Sequence, residues 1–256
     1  KTTIINIKGG VLLFLICLFL GISACEDDLL DEAPLSSLNA DITLSSKAGF
    51  EAFLVGLVRQ AREEYTQDDA TVWHTNFIGT DIGESAGAEF TAYRNWTSYL
   101  TPTRSEVLVN WNWAYSKMIP QANTIIAYAD KEELADIWSS DEAKNAVIAE
   151  ARFFRGYTYN LLANLYGGVP IVENVPTTTR YDFTRASRQE VYAFAKADLD
   201  FASQWLPETV DPSKEGRIVK AAADHLLSEV NMSLGLFDDA IQSATAVIES
   251  GLYGLM

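Results

Sequence analysis

Cysteine and histidine are scarce in this sequence of 256 residues, which contains two of each. Both cysteines lie within the first 25 residues, so no disulfide framework can hold the main body of the chain together. The histidines, His74 and His225, stand far apart, and no carboxylates at metal-ligand spacing accompany them. We therefore expect a fold that depends on its hydrophobic core and that carries no metal and no cofactor.

Basic residues are also few. The sequence has 19 lysines and arginines and 35 aspartates and glutamates, which gives a formal net charge of −16. Phosphate-rich partners require clustered cations, and the sequence contains no such cluster. Nucleic acid is therefore excluded as a main ligand. The remaining composition, 48% hydrophobic and 11% aromatic, is that of a globular protein.

Several motifs of nucleotide and metal chemistry are missing as well. The sequence has no phosphate-binding glycine loop and no calcium-loop spacing. A carboxylate pair for glycoside hydrolysis remains open with 35 acidic residues present, but no spacing gives it specific support. We expect a protein that is not an enzyme.

The N-terminus carries the one unbroken apolar run, residues 11–20 (VLLFLICLFL). This run is too short for a membrane-spanning helix, which needs about 20 residues, but it suits a signal peptide. Shortly after this run come residues 22–25 (ISAC), which resemble a bacterial lipobox. We expect residues 1–24 to be a lipoprotein signal peptide and Cys25 to carry lipid. A membrane-anchoring helix, or an ordinary signal peptide with an incidental cysteine, is the alternative.

An acidic segment follows Cys25 directly, in residues 26–32 (EDDLLDE). Such a segment resembles the signal that sends lipoproteins of the Bacteroidota to the outer face of the outer membrane; a solvated tether is the alternative. Acyl chains contribute roughly 0.8 kcal/mol per buried methylene, so two or more anchor stably. We therefore expect residues 25–45 to be an acidic, lipid-anchored tether.

From residue 46 the apolar spacing is mainly helical. Ser46 can cap the first helix, and Ser139 with Glu142 and Ser187 with Glu190 can form capping boxes. The predicted helices cover residues 48–64, about 105–126 with a kink or restart at Pro120, 143–166, 187–206, 218–234 and 238–250, and a short β-like piece covers residues 169–175.

Aromatic residues occur both within predicted helices and in a long segment between helices. Trp111 and Tyr115 recur at helical spacing, which predicts a place in the core, whereas Trp113 points off that stripe and is a candidate for the surface. Residues 66–103 form a long segment of low periodicity, rich in glycine, threonine and aromatics. A connection of this length is typically functional.

Helical repeats are the next signal, tested against the 34-residue tetratricopeptide pattern. Small and aromatic residues stand in the expected register in two helix pairs, and residues 166–187 interrupt the period between them. They are Gly156, Tyr159, Ala195, Leu199, Ala202 and Pro207 in the first pair and Leu227, Gly235, Phe237 and Ala240 in the second. The predicted fold class is all-α, with tetratricopeptide-like helix pairs and long loop insertions over residues 46–256.

Several motifs occur in a fixed order along the chain. They are Trp111-x3-Tyr115-x3-Ile119-x2-Ala122-Asn123, residues 149–157 (AEARFFRGY), residues 165–170 (LYGGVP), residues 185–192 (RASRQEVY) and residues 216–253. Together they resemble the N-terminal half of the SusD/RagB family of outer-membrane lipoproteins. Members of that family are about twice as long, so we expect the C-terminal half to be absent here.

The resemblance implies binding rather than chemistry. Such proteins sit on a TonB-dependent transporter of the SusC type, exposed at the cell surface, and capture oligosaccharides or, in some branches, peptides. A protein-interaction scaffold, or a peptide-binding lipoprotein, is the alternative. Sugar capture needs aromatic faces and polar side chains on an exposed loop. The expected ligand-binding residues are Trp73, Asp81, Tyr93, Arg94, Asn95 and Trp96.

Overall fold

The computed structural model of the chain describes residues 40–66, 80–83, 105–175, 178, 180–210, 212–214 and 216–254. The expected signal peptide, Cys25 and most of the acidic tether lie outside the described residues. The same holds for all the predicted ligand-binding residues except Asp81.

The described residues are mainly α-helical, and none of them forms a strand. We number the α-helices in chain order. They are α1 (Ala40–Thr43), α2 (Lys47–Thr66), α3 (Ser105–Trp113), α4 (Ile119–Ala129), α5 (Asp141–Tyr166), α6 (Arg188–Trp205), α7 (Lys220–Leu234) and α8 (Phe237–Glu249), with a π-helical turn at Ala114–Met118 and 3-10 turns at Glu132–Ile137 and Pro212–Lys214.

Helix α2 begins as the sequence predicts. The hydroxyl oxygen of Ser46 accepts a hydrogen bond from the amide of Gly49 at 3.2 Å, which satisfies one of the free amides of the first turn. Phe50, Leu54 and Leu57 are fully buried. Their spacing of three and four residues therefore marks the face of α2 that packs on the core.

Helices α3 and α4 are joined by the π-helical turn rather than by a break. Pro120 lies in the first turn of α4, where a missing backbone N–H costs little. The extra residue in the π-helical turn changes the direction of side chains around it. The helical stretch predicted over about residues 105–126 is therefore continuous, and the π-helical turn lies directly before the position at which a kink or restart was predicted.

Trp113 corrects a prediction, because it is only 7% exposed rather than at the surface. Its indole N–H donates to the carbonyl oxygen of Gln60 in α2 at 2.9 Å. Trp111 and Tyr115, expected in the core, are only partly buried and pack against it from outside. The reason is that Trp113, the last residue of α3, directs its side chain to α2, which packs on the π-helical turn that follows.

Helix α5 begins one residue later than the predicted capping box. Its N-cap is Ser140, not Ser139, and the Ser140 hydroxyl oxygen accepts from the amide of Ala143 at 3.2 Å. Glu142 therefore stands one position too early for a capping box. Its own backbone amide and the Ser140 hydroxyl lower the pKa of the Glu142 carboxyl. Either of the two adjacent serines could act as the N-cap from the sequence alone, and in the structure the second one, Ser140, does.

The body of α5 is buried on two faces, with Ala149 and Phe153 on one and Val147 and Phe154 on the other. Neighbouring helices in the chain pack on one another: α4 on α5, α5 on α6, α6 on α7 and α7 on α8. Sequential packing of this kind is typical of helical repeats. The residues from Ala40 onward form one compact unit.

Between α5 and α6 the chain turns at Gly167, whose positive φ of 74° suits glycine. Residues 168–174, called here the extended segment, run without strand pairing, so the expected β-like piece is not a strand. Helix α6 then begins with the predicted capping box, in which Ser187 and Glu190 bond reciprocally. In the part of the chain that is described, no helix is both long and apolar enough to cross a bilayer.

Candidate functional site

A cleft of about 350 Å³ opens between the α3–α4 region and the extended segment. We call it the aromatic cleft. It is lined by Trp111, Tyr115, Ile119, Pro120, Asn123, Pro170, Val172, Asn174 and Phe183. Two elements that are distant in sequence therefore build one concave surface.

The helical wall of the aromatic cleft contains aromatic rings that contact one another. The ring centroids of Trp111 and Tyr115 are 4.7 Å apart, as their four-residue spacing on one helical stretch permits. Tyr166, at the end of α5, meets Trp111 edge-on at 5.5 Å, and its hydroxyl oxygen accepts from the Trp111 amide at 3.2 Å. These contacts fix the rings in place before any ligand arrives.

The opposite wall is the extended segment, which side chains of the helices hold by its backbone. The Tyr115 hydroxyl donates to the Pro170 carbonyl at 2.5 Å, and the Asn123 side-chain amide donates to the Val172 carbonyl at 2.8 Å. The Val172 amide in turn donates to the Tyr159 hydroxyl at 2.7 Å. Both walls of the cleft are therefore tied together by hydrogen bonds.

The two tyrosines that take part remain protonated at physiological pH. Burial raises the pKa of the Tyr115 hydroxyl, and burial raises the pKa of Tyr159 to about 12. Because a neutral phenol can donate its proton, Tyr115 keeps its bond to Pro170 across the physiological range. The shape of the cleft is thus insensitive to ordinary changes of pH at these positions.

Phe183 forms the outer part of the cleft and is 45% exposed. The guanidinium of Arg180 lies 5.0 Å from the centre of its ring, and Arg180 pairs with Asp182 at 2.9 Å. Phe183 therefore offers an aromatic surface that water reaches, on a segment outside the helical core.

A buried ion pair lies behind the helical wall. The Arg155 guanidinium in α5 donates to both carboxylate oxygens of Asp198 in α6, at 2.6 and 2.8 Å. It also donates to the side-chain oxygen of Asn123 at 2.7 Å. Charge-assisted bonds of this type are strong and directional, so the ion pair connects two helices to a residue that lines the aromatic cleft.

The chemistry of the aromatic cleft is that of a binding site. Its described lining residues include no carboxylate, imidazole or thiol. They include three aromatic rings and the side-chain amide of Asn174, while the amide of Asn123 is already bonded to Arg155 and Val172. Aromatic faces suit the apolar face of a pyranose ring, and amides suit its hydroxyls. Over the described ranges, no group of His, Cys, Asp and Glu residues could hold a metal ion.

The described lining residues of the aromatic cleft include none of the residues that the sequence predicted to bind ligand. Asp81, the one predicted ligand-binding residue within the described ranges, is exposed. Trp73, Tyr93, Arg94, Asn95 and Trp96 lie outside those ranges, so their role stays a prediction. The cleft was missed because the spacing of Trp111 and Tyr115 indicates a core stripe. A usable signal was the Gly-Gly-Val-Pro stretch before α6, which predicts a non-helical segment able to cover that stripe.

Comparison with known proteins identifies the family of the chain. A family model described as "SusD-like", "Starch-binding associating with outer membrane", matches residues 28–232. The chain belongs to this SusD-like family. The resemblance and the all-α fold predicted from the sequence are both confirmed.

Individual relatives support the same assignment. SusD-like protein P2 of Formosa agariphila is 28% identical over 92% of this chain and 45% of its own length. A SusD-like protein of Bacteroides ovatus is 25% identical over 82% of this chain and 37% of its own length. The chain thus spans less than half the length of these relatives.

Solved structures share the fold at lower identity. A laminarin-binding SusD-like protein aligns with a TM-score of 0.72 at 21% identity, covering 82% of this chain and 46% of that one. A SusD-like protein of Bacteroides fragilis aligns with a TM-score of 0.67 at 23% identity, covering 88% of this chain and 42% of that one.

Proposed function

We propose that this protein binds an oligosaccharide at the cell surface and delivers it to a TonB-dependent, SusC-like transporter in the outer membrane. It acts by binding and is not an enzyme. The observation that carries this proposal is the aromatic cleft, which a member of a starch-binding family builds from Trp111, Tyr115 and Phe183.

The physical match to a sugar rests on two features of the cleft. Its surface is largely apolar and includes three aromatic rings, as the C–H face of a pyranose requires, and the Asn174 amide can bond to hydroxyl groups. The cleft is also preformed, because hydrogen bonds to Pro170 and Val172 hold its second wall. A preformed wall lowers the entropic cost of binding.

Residues of the long segment complete the proposed site. We propose that Trp96, together with Trp73, Asp81, Tyr93, Arg94 and Asn95, contributes to ligand binding. Trp96 is flanked by a cationic and an amide side chain, a combination that can stack on one sugar and bond to its hydroxyls. Trp96→Ala should then weaken sugar binding about tenfold, with little change of the thermal midpoint.

Attachment to the membrane follows from the proposed lipid on Cys25. With 35 acidic side chains against 19 basic ones, the chain gains nothing from the negative charge of lipid headgroups, so acyl chains must supply the affinity. The family description, "associating with outer membrane", supports this location.

A protein-interaction scaffold is the second candidate. Helix α8 exposes Phe237, Ile241 and Ile248 along one face, and an exposed apolar helix face can contact another polypeptide. This candidate predicts that the chain binds peptide or protein while showing no affinity for sugars.

Calorimetric titration of the full chain tests the proposal. The probes are laminarihexaose and a xyloglucan oligosaccharide, because two solved structures of the same fold are a laminarin-binding protein and a protein with a xylogluco-oligosaccharide. Phe183→Ala should weaken binding about tenfold, since it removes an exposed ring from the cleft. Tyr181→Ala is the matched control: Tyr181 is 91% exposed, lies two residues away and does not line the cleft. Equal affinities for the two variants would remove the aromatic cleft from the site.

A further inference from the structure

We propose that Arg155 and Asp198, which do not line the aromatic cleft, are positioning residues that set its affinity for sugar by orienting Asn123 and the extended segment. This inference rests on the function proposed above. It concerns how the cleft is held in a binding-competent shape.

Arg155 is the centre of the arrangement and is buried, as are Asp198 and Asn123. Its Nε and Nη2 groups bond to Asp198, while Nη1 bonds to the Asn123 side-chain oxygen at 2.7 Å and reaches the Glu173 carbonyl at 3.4 Å. One guanidinium therefore contacts α4, α6 and the extended segment together.

The chemistry of arginine determines which way the Asn123 amide points. A guanidinium only donates hydrogen bonds, so the Asn123 oxygen must face Arg155. Its nitrogen is then directed to the Val172 carbonyl, 2.8 Å away. The opposite orientation would place two donors together at Arg155 and two acceptors together at Val172. Arg155 thus selects the one orientation of Asn123 that holds the cleft wall.

Asp198 keeps Arg155 in place for this role. Its two oxygens bond to the guanidinium on parallel vectors, which fixes the plane of the group as well as its charge. A buried guanidinium without a carboxylate partner would be strongly unfavourable. Because Asp198 is on α6, the packing of α5 on α6 decides where the third donor of Arg155 points.

The extended segment depends on such contacts because it has no strand partner. Both backbone polar groups of Val172 are hydrogen-bonded, the carbonyl to Asn123 and the amide to Tyr159. Val172 also lines the aromatic cleft. Loss of the Asn123 bond should therefore loosen one wall of the cleft while the helices stay packed.

The test is a double-mutant cycle in the full chain, read with laminarihexaose. Arg155→Lys keeps a positive charge for Asp198 but has a single donor group, which cannot serve Asp198 and Asn123 in the same geometry. Asn123→Asp keeps an acceptor for Arg155 but has no donor for Val172. Each variant should weaken binding about tenfold. The double variant should be no weaker than the Asn123 variant alone, because Arg155 acts through Asn123.

Arg217→Lys is the matched control, since it alters another arginine paired with a buried carboxylate, Glu150, far from the lining of the cleft. It should lower the thermal midpoint and leave the sugar affinity unchanged. Hydrogen exchange supplies a second measurement that needs no ligand. The Val172 amide should exchange faster in Arg155→Lys than in the wild type, but at the wild-type rate in Arg217→Lys.

The outcomes separate the inference from the proposed function. Independent, multiplying losses in the cycle, or an unchanged exchange rate at Val172 in Arg155→Lys, would overturn the positioning role. A wild-type chain that binds no sugar would overturn the proposed function instead, and faster exchange at Val172 would still support the control of the extended segment by Arg155.

Discussion

A methyl group added at Gly156 of α5 would lie 2.9 Å from Cγ of Leu199 in α6 and 3.1 Å from the Ala195 carbonyl oxygen. The two helices therefore approach at a distance that only glycine allows at this point. This contact lies within the most extensive helix packing in the described residues, that of α5 on α6. The same two helices carry Arg155 and Asp198, so close packing here and the geometry of the ion pair are linked.

Gly156→Ala should destabilise the protein by about 1–3 kcal/mol, the usual cost of overpacking a dense interior. Gly56→Ala is the matched control within a helix, because the atom nearest to its new methyl group is the end of the flexible Gln121 side chain, 3.0 Å away. At Gly56 the gain in helix propensity from alanine, up to about 1 kcal/mol, should equal or exceed the cost of the contact with Gln121. Urea unfolding of both variants decides, and equal midpoints would refute the close approach.

Phe154→Ala should lower the free energy of unfolding by about 3–5 kcal/mol, because Phe154 is only 3% exposed and its ring packs edge-on against Phe153. Lys144→Ala, near the start of the same helix, is the control. Lys144 makes a partly exposed ion pair with Asp130 at 3.6 Å, which is worth at most about 1 kcal/mol. Similar urea midpoints would show that the buried face of α5 is assigned wrongly.

Arg217→Leu should cost about 3–5 kcal/mol near neutral pH, since it leaves the Glu150 carboxylate buried without its partner. Burial raises the pKa of Glu150, and the hydrogen bonds from Arg217 oppose that rise. Removing Arg217 therefore raises the pKa of Glu150 further. A carboxyl pKa that is raised in the folded state costs stability in full above the raised pKa and costs none below the ordinary glutamate range, so the cost of the variant should shrink as the pH falls through the raised pKa.

Glu51, the second carboxylate paired with Arg217, also makes the cost of the variant smaller as the pH falls. Burial acts to raise the pKa of Glu51, but the hydrogen bonds from Arg217 and Lys214 lower it overall, and this contribution to wild-type stability is lost only as the pH falls below the ordinary glutamate range. Urea unfolding of wild type and variant at about pH 7 and about pH 5 measures the difference. A cost that stays constant or grows at the lower pH would contradict this account of Glu150.

Cys25→Ala should abolish lipid attachment, because the lipobox-like residues 22–25 place that thiol at the start of the mature chain. The measurement is metabolic labelling with a palmitate analogue in a host that processes lipoproteins. Cys17→Ala is the control, since Cys17 lies within the apolar run of the expected signal peptide. Equal labelling of wild type and the Cys25 variant would refute the prediction.

Local signals in the sequence determined the helices. The capping box of Ser187 and Glu190 and the cap at Ser46 mark where α6 and α2 begin, because they satisfy free amides within one turn. Apolar spacing likewise predicted helices over residues 48–64 and 143–166, and ordered motifs predicted the family. Each of these features depends on residues that are close together in the chain.

Only the tertiary structure decided which side of α3 faces solvent and where the cleft lies. Trp113 is buried because α2 packs against it, while Trp111 and Tyr115 face a segment more than 50 residues further along the chain. The extended segment lacks strand pairing and is held by Asn123, Tyr115 and Tyr159 instead. Helical periodicity in the sequence predicts that a face is apolar. It does not predict which segment covers that face, or whether the face stays open to solvent, because this depends on contacts between distant parts of the chain.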